Sequence, residues 1–406
     1  MGAMRGSLLA ALACGLLPPG WSAGAAEDPL LARIRRSMAE TLRHMPDYTC
    51  LETIERWREG DPDPQARYWE RLRLEVAVIG GKERFAWPGS ARFEEKDIDE
   101  IVPPGAIGTG DFAGFAGAVF RTEDASFEGP REEKLEGRPA YRYDFRVPAE
   151  RSRYAVRDGR HSAVVGYHGS FWADRETLEL LRLDIEADGL PAPPLEVASV
   201  KTAIRYQRAL IGDSSTLLPR VSELSLSSTA ARSSRNRTTF SHCRQYVGES
   251  RLRFDEPAPG AEPAARPLER TRLPAGLALE LSLETPLDPA RAAAGDPLLA
   301  VLARDVRREG RLLAPKGARV YGRLRTVRQH LTPRSWGLVA LEFDRLEGPS
   351  LEAEFRARLE LLGSLIPALR RPSDVLVSGS EQESALLFNG PLRSLPRGFR
   401  MQWRTY

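Results

Sequence analysis

The sequence has 406 residues, more than the roughly 250 at which a single hydrophobic core stops growing, so two domains are expected. Charged residues make up 28% and hydrophobic residues 42%, which is typical of a soluble globular protein and excludes a disordered chain or a polytopic membrane protein. A net charge of +3, from 59 basic and 56 acidic residues, gives no electrostatic reason to expect nucleic-acid binding.

Residues 1–26 have the pattern of a secretory signal peptide. Arg5 supplies the positive start, an apolar run extends from Leu8 to Leu17, and the small residues Ala23 to Ala25 form a cleavage pattern. The apolar run is shorter than the roughly 20 residues that span a bilayer, and no later segment is longer, so no transmembrane segment is expected. The pattern predicts export to the periplasm or cell envelope.

The cysteines permit two processing routes and one disulfide. Cys14, preceded by Ala11, Leu12 and Ala13, allows lipid anchoring as a minority alternative, although Ala11 stands where such sites normally carry Leu. Either route leaves Cys50 and Cys243 in an oxidising compartment, where an even count favours a Cys50–Cys243 disulfide. Two separate buried thiols are the alternative.

The first element of the mature chain is an amphipathic helix predicted from Asp28 to Met45. Asp28 is a suitable N-cap, Pro29 stands at the first helical position, and Pro46 ends the helix. Its polar face carries four arginines: Arg33, Arg35, Arg36 and Arg43. A solvated helix face is expected, and contact with anionic lipid is the alternative.

Alternating patterns with a period of two then predict a series of short strands. Gly80 and Gly81 separate the first two, Leu72–Val78 and Lys82–Trp87, as a β-hairpin. Further strands are expected at Tyr141–Val147, Ser152–Arg157, Ala163–Ala173, Leu178–Ala187, Val197–Tyr206, Val221–Ser227 and Thr238–Val247. Short turns between strands indicate an antiparallel sheet in a first domain over residues 27–254.

A second domain is expected after a linker. Residues 255–270 are rich in Pro and Ala and have no apolar periodicity, which is typical of a semi-rigid linker. Alternating patterns at Leu277–Leu283, Leu338–Phe343 and Phe399–Tyr406 then predict a smaller all-β barrel domain over residues 271–406. The fold class is therefore mainly β, with one N-terminal helix.

No residue pattern specifies a reaction. The five histidines lack metal-ligand spacing, and the chain has neither a nucleophile motif nor a phosphate-binding loop in its glycine-rich stretch at residues 105–117. The sequence therefore predicts a non-enzymatic protein without a metal or other cofactor.

Aromatic residues of the first domain suggest a binding site. A curved sheet that does not close can enclose an apolar cavity, and small hydrophobic ligands bind in such cavities. The candidate ligand-binding residues are Phe85, Trp87, Phe112, Phe115 and Trp172. Ordinary core packing of these rings is an equally open interpretation.

Three resemblances add to this interpretation. The stretch Gly169–Leu183, an aromatic strand, an Asp, a turn and an Arg-bearing strand, resembles a hairpin of the outer-membrane lipoprotein carriers of the LolA and LppX type, which implies a curved half-barrel behind an N-terminal helix. The segments around Cys50 and Cys243 look like those of secreted bacterial proteins. Residues 273–276, 294–297 and 312–322 are similar to the β-barrel of TrbI-type conjugation proteins.

Together these features predict a non-catalytic periplasmic or cell-envelope protein. Its first domain is expected to bind an apolar ligand, which the carrier resemblance implies to be a lipid, an acyl chain or a lipoprotein. The alternative is a structural or assembly module that acts through envelope protein partners of the C-terminal barrel.

Overall fold

The computed structural model describes residues 28–60, 65–90, 93, 98–101, 114–121, 123–158, 161–246, 271–349, 351–362, 375–379 and 384–406. The predicted signal peptide with Cys14, the predicted linker over residues 255–270, and Phe112 lie outside these ranges. The division into two domains at that linker accordingly stays a prediction.

Helices are few and short. They are α1 Pro29–Arg43, α2 Ile98–Ile101 and α3 Gly114–Phe120, with a 3-10 turn at Ala149–Arg151. The Asp28 carboxylate caps α1 by accepting a hydrogen bond of 3.1 Å from the Leu30 amide. The longest described helix, α1, has 15 residues, and no helix in the described ranges is long and apolar enough to cross a membrane.

The N-terminal part contains one long antiparallel sheet. Its strands are β1 Tyr48–Glu59, β2 Arg67–Ile79, β3 Lys82–Ala86, β4 Ser126–Leu135, β5 Arg138–Val147, β6 Ala155–Asp158, β7 His161–Val164, β8 Tyr167–Asp174, β9 Leu180–Ala187, β10 Val197–Ile211, β11 Ser214–Ser228 and β12 Ser233–Gln245. They pair in the order β4, β5, β8, β9, β10, β11, β12, β1, β2, β3, while β6 and β7 form a separate hairpin. The predicted strand at residues 163–173 is two strands, because the chain leaves the hairpin before β8 begins.

The C-terminal part continues in strands. They are β13 Thr271–Arg272, β14 Ala278–Leu283, β15 Pro297–Leu302, β16 Val306–Arg308, β17 Arg311–Ala314, β18 Arg319–Thr332, β19 Trp336–Gly348, β20 Leu351–Glu354, β21 Ala357–Leu362, β22 Val375–Gly379, β23 Ser384–Asn389 and β24 Arg400–Thr405. Strands β21, β24, β14, β15, β18, β19 and β23 are neighbours in that order, all antiparallel. Their buried side chains, including Trp403 and Phe343, form one apolar core. A mainly antiparallel β fold with an N-terminal helix confirms the predicted fold class.

The outer edge of β2 joins the two parts. Residues 75–79 of this edge pair with β3, and residues 67–70 pair with β18. Between them, Ala294 accepts a hydrogen bond from the Arg73 amide at 2.7 Å and donates one to the Arg71 carbonyl at 2.8 Å. The backbone of β2 is thus bonded along both of its sides, partly by residues more than two hundred positions away.

A disulfide joins Cys50 and Cys243, as the sequence predicted. The two cysteines lie on neighbouring strands, β1 and β12, at a point where the register of the pair shifts between Thr49 and Leu51. Cys50 is buried in an apolar cluster, and Cys243 packs against the same cluster. The bond therefore ties the start of the N-terminal sheet to its last strand.

Candidate functional site

Helices α1 and α3 cover one face of the N-terminal sheet and enclose an apolar layer. From α1, Leu31, Ile34 and Met38 point into this layer, as their helical spacing requires. From α3, the buried residues are Ala116, Val119 and Phe120. The sheet contributes alternate residues of β5, β8, β9 and β10: Tyr143, Phe145, Val147, Tyr167, Phe171, Ala173, Leu180, Leu183, Ile185, Ile204 and Tyr206.

Aromatic rings dominate the part of this layer under α3. The Phe120 ring lies edge-on to the Phe171 ring at a centroid distance of 4.9 Å, and the Tyr143 ring stacks on Phe171 at 5.2 Å. At the start of α3, the half-buried Phe115 lies edge-on to Tyr154 at 5.3 Å. Such pairs add about 0.5–1.5 kcal/mol each to the burial of their area. Ring contacts therefore hold α3 on the sheet.

A hydrogen bond connects the start of α1 to the same layer. The Tyr143 hydroxyl donates to the second carboxylate oxygen of Asp28, whose first oxygen caps the helix. Burial and this hydrogen bond raise the pKa of Tyr143 above its ordinary value. Burial also raises the pKa of Tyr167 to about 12, with a smaller effect of the Asp124 charge. Both phenols are therefore neutral at physiological pH.

The structure separates the predicted ligand-binding residues. Phe115 lies in the layer under α3, whereas Phe85 and Trp87 belong to a second apolar cluster around β1 and β2. Trp172 lies on the opposite face of the sheet, with the guanidinium groups of Arg142 and Arg182 at 5.3 and 5.2 Å from its ring. Of the four predicted residues in the described ranges, Phe85 and Trp87 alone share a cluster, and binding by the predicted residues stays a prediction.

The opposite face of the sheet carries a groove of about 670 Å³ lined by charged residues. Ser170 donates a hydrogen bond of 2.6 Å to Asp144 and accepts one of 3.0 Å from Arg142, while Arg182 forms an ion pair with Asp184 at 2.7 Å. Burial alone would raise the pKa of Asp144, but the hydrogen bond from Ser170 and the Arg142 charge outweigh it and lower the pKa. The groove is polar and its charges largely pair with one another.

The second apolar cluster contains a buried glutamate. Glu52 on β1 is 1% exposed and stands between Leu74 on β2 and Phe240 on β12. Neither of its carboxyl oxygens has a hydrogen-bond partner among the residues that the structure describes. Burial, followed by the charge of Glu83, raises the pKa of Glu52 well above its ordinary value, so the fold favours the neutral carboxyl. The sequence did not predict this residue as buried, because a glutamate at an inward position interrupts the apolar alternation of Tyr48–Glu59.

Buried charges also occur where the two parts of the chain meet. Arg56 and Glu70 form an ion pair of 2.8 Å with side chains 0% and 4% exposed. Arg328 of β18 reaches the second oxygen of Glu70 at 3.1 Å. Removing one member of such a group leaves an uncompensated buried charge. A shift of β18 along β2 would have the same effect, so this group of three charges fixes the register between the two strands.

The described ranges hold no group of three or more His, Cys, Asp or Glu side chains that could bind a metal ion. Among the histidines, His168 contacts Asp188 at 2.7 Å, and His330 stacks on Trp336 with ring centroids 3.6 Å apart. Burial, followed by the Arg328 charge, lowers the pKa of His330. These histidines thus take part in local packing and ion pairing.

No protein-family model matches the sequence, and no curated protein matches it. Among solved structures, the chain is similar to a DUF1329 family protein from Desulfovibrio piger, with 10% identity over 55% of this chain and 96% of that chain and a TM-score of 0.29. It is also similar to a LolA superfamily protein from Nitrosomonas europaea, with 10% identity over 53% of this chain and 94% of that chain and a TM-score of 0.27.

The second of these structures carries the superfamily name that the N-terminal resemblance predicted. Each comparison covers about half of this chain, and the TrbI-type resemblance of the C-terminal part stays a prediction. With TM-scores this low, neither likeness supports an argument about function, which has to come from the residues themselves.

Proposed function

We propose that this chain is a non-catalytic binding protein of the bacterial cell envelope that holds an apolar ligand between helices α1 and α3 and the N-terminal sheet. The ligand is a lipid, an acyl chain or the acyl portion of a lipoprotein. The observation that carries the proposal is the aromatic layer under α3, where the rings of this seven-residue helix contact Tyr154 through Phe115 and Phe171 of β8 through Phe120.

A short helix of this kind is suited to admit a ligand. Isolated helices below about 12 residues are marginal in water, so α3 depends on its contacts with the sheet. An acyl chain that entered beside Phe115 would replace ring contacts with Tyr154 and Phe171 by contacts of the same apolar character. Apolar burial at about 25 cal/mol per Å² of surface then favours the bound chain.

Two features support an envelope location. The first 26 residues have the pattern of an export signal. The disulfide between Cys50 and Cys243 is the kind of bond that persists in oxidising compartments such as the periplasm. An envelope protein with an apolar binding layer fits the carriage of lipidic molecules through an aqueous space.

The test uses the full chain purified from the periplasm without detergent. Native mass spectrometry followed by lipid extraction should show a co-purifying lipid, and Nile red, a neutral apolar dye, should bind and be displaced by that lipid. Phe115→Glu should abolish both signals, because it places a charge at the edge of the aromatic layer.

Leu210→Glu is the matched control, since Leu210 is 69% exposed on β10 and the substitution adds the same charge. It should keep lipid and dye. Circular dichroism and the mass of the oxidised chain verify that both variants fold. A wild-type protein that carries no lipid and binds no dye would overturn the proposal, as would a Phe115→Glu variant that binds both normally.

A further inference from the structure

A cavity of about 470 Å³ lies where α1 meets the end of α3. Four of its lining residues are arginines, Arg35, Arg36 and Arg43 from α1 and Arg121 directly after α3, and the others are Ala39 and Phe120. None of the described residues that line it is acidic. The cavity is therefore cationic on its walls and has an aromatic ring at one side.

The sequence brings these arginines together in two ways. Arg35, Ala39 and Arg43 are spaced by four residues and follow one ridge of α1, so the small Ala39 leaves a gap between two guanidinium groups. Arg121 reaches the cavity from α3, where a Cβ atom on Gly117 would lie 2.7 Å from its Nη2 atom. Glycine at position 117 thus leaves the room that the Arg121 side chain occupies.

Three of these arginines, Arg36, Arg43 and Arg121, differ in their surroundings from most arginines of the N-terminal sheet. Most arginines of the N-terminal sheet, such as Arg142 and Arg182, form ion pairs with carboxylates. Within the described ranges, no carboxylate lies within ion-pair distance of Arg36, Arg43 or Arg121. Arg43 is near the C-terminal end of α1, where a cation is favourable, but Arg36 is two turns away from that end. An anion in the cavity would relieve the repulsion among these groups.

The cationic cavity adjoins the apolar layer. Phe120 lines the cavity and is also buried in the layer, where its ring contacts Phe171. Arg35 likewise faces both environments, since its guanidinium carbon lies 5.5 Å from the centre of the Phe127 ring. One molecule with an anionic end and an apolar chain could therefore occupy both regions.

We infer that the ligand of this protein is an anionic lipid whose phosphate-bearing headgroup is bound by Arg35, Arg36, Arg43 and Arg121. The inference rests on the proposed function, because the acyl chain of the same molecule occupies the layer under α3. Guanidinium groups match phosphate geometry through paired, charge-assisted hydrogen bonds, and several of them around one cavity suit a tetrahedral group with several oxygens. Inorganic phosphate presents the same oxygens, so the experiment separates the two sources.

The experiment measures binding to the full chain by isothermal titration calorimetry, with three probes: dihexanoyl phosphatidic acid, dihexanoyl phosphatidylcholine and inorganic phosphate. The phosphatidic acid should bind at least about tenfold more tightly than the other two, because only it combines an uncompensated anionic headgroup with acyl chains. The double variant Arg36→Gln/Arg43→Gln should lose about tenfold or more of that affinity and keep its affinity for phosphatidylcholine.

A control variant removes the same charge elsewhere. Arg33→Gln/Arg151→Gln lowers the net charge by two at exposed positions outside the cavity, so it should bind phosphatidic acid like the wild type. A loss of affinity in the control equal to that in Arg36→Gln/Arg43→Gln would mean that net charge, not the cavity, attracts the lipid, and would overturn the inference.

The remaining outcomes separate this inference from the proposed function. If phosphatidylcholine binds as tightly as phosphatidic acid and neither depends on Arg36 and Arg43, the headgroup inference fails while the proposed function stands. If inorganic phosphate binds through these arginines and neither lipid binds more tightly, the cavity is a simple anion site and both fail. A separate titration with vesicles containing phosphatidic acid completes the test: binding to the vesicles without binding to the short-chain lipid would indicate a membrane contact and would also overturn the inference.

Discussion

Replacing Glu52 by glutamine should make the protein more stable at neutral pH, by an amount that grows with pH. Glu52 is buried between Leu74 and Phe240 and has no hydrogen-bond partner among the described residues, so burial favours its neutral carboxyl in the folded chain. The glutamine amide has nearly the same shape and is equally unpartnered. The substitution therefore mainly removes the difference in proton binding at position 52 between the folded and the unfolded chain.

The size of the effect follows from proton linkage. In the unfolded chain the Glu52 carboxyl ionises near its ordinary pKa of 4.5, whereas burial raises the pKa in the folded chain well above that value. The contribution to stability is full below the unfolded-state pKa and is lost as the pH rises toward the folded-state pKa. While the pH lies between the two pKa values, the free energy of unfolding falls by about 1.4 kcal/mol per pH unit.

The assay is guanidinium chloride unfolding, followed by tryptophan fluorescence with the disulfide intact, at pH 5, 6 and 7. The difference in stability between Glu52→Gln and wild type should increase in favour of the variant at each step. Glu59→Gln, at the half-exposed end of the same strand, should show no such trend. If the stabilities of wild type and Glu52→Gln run parallel across this range, the carboxyl is not held neutral and the reasoning is wrong.

Two further substitutions test the disulfide and the junction of the two parts. Replacing both Cys50 and Cys243 by serine opens a link across 193 residues, which the chain-entropy model values at about 5 kcal/mol; an unchanged denaturation midpoint would contradict this. Gly295→Ala should lower the free energy of unfolding by about 1–3 kcal/mol more than Gly276→Ala in the same assay. Both glycines have positive φ, but only at Gly295 would the new Cβ lie 2.3 Å from the Arg73 carbonyl oxygen. Equal losses would show that the backbone angle alone sets the cost.

The capping and spacing of neighbouring residues predicted helix α1. The following strand, β1, was not predicted because it carries buried charged residues. Asp28 and the apolar spacing of α1 are read from neighbouring residues, and the helix ends two residues before the predicted Met45. Strand β1 was not predicted, because Glu52 and Arg56 occupy inward positions where an apolar residue would mark the alternation. Glu70, the ion-pair partner of Arg56, is on another strand, so the sequence around Arg56 does not show that its charge is compensated.

The candidate site was only partly predictable for a similar reason. Phe115 was predicted to bind a ligand from its aromatic character, and that role stays a prediction. The face on which Trp172 lies depends on the register of β8 with its neighbours. From the sequence, the arginines of α1 were predicted to form a solvated helix face. The packing of α3 on α1 brings Arg121 beside them. Contacts between residues about eighty positions apart follow from the tertiary fold, which periodicity does not specify.

The hydrogen bonding of β2 along both of its edges has a consequence for aggregation in solution. Its outer edge is shared by β3, Ala294 and β18, and the last two come from the C-terminal part. A fragment ending at residue 246 would leave residues 67–74 as an open edge of free amide and carbonyl groups, which is a template for pairing with another chain. By pairing with this edge of β2, the C-terminal part thus protects the N-terminal sheet from intermolecular β-aggregation.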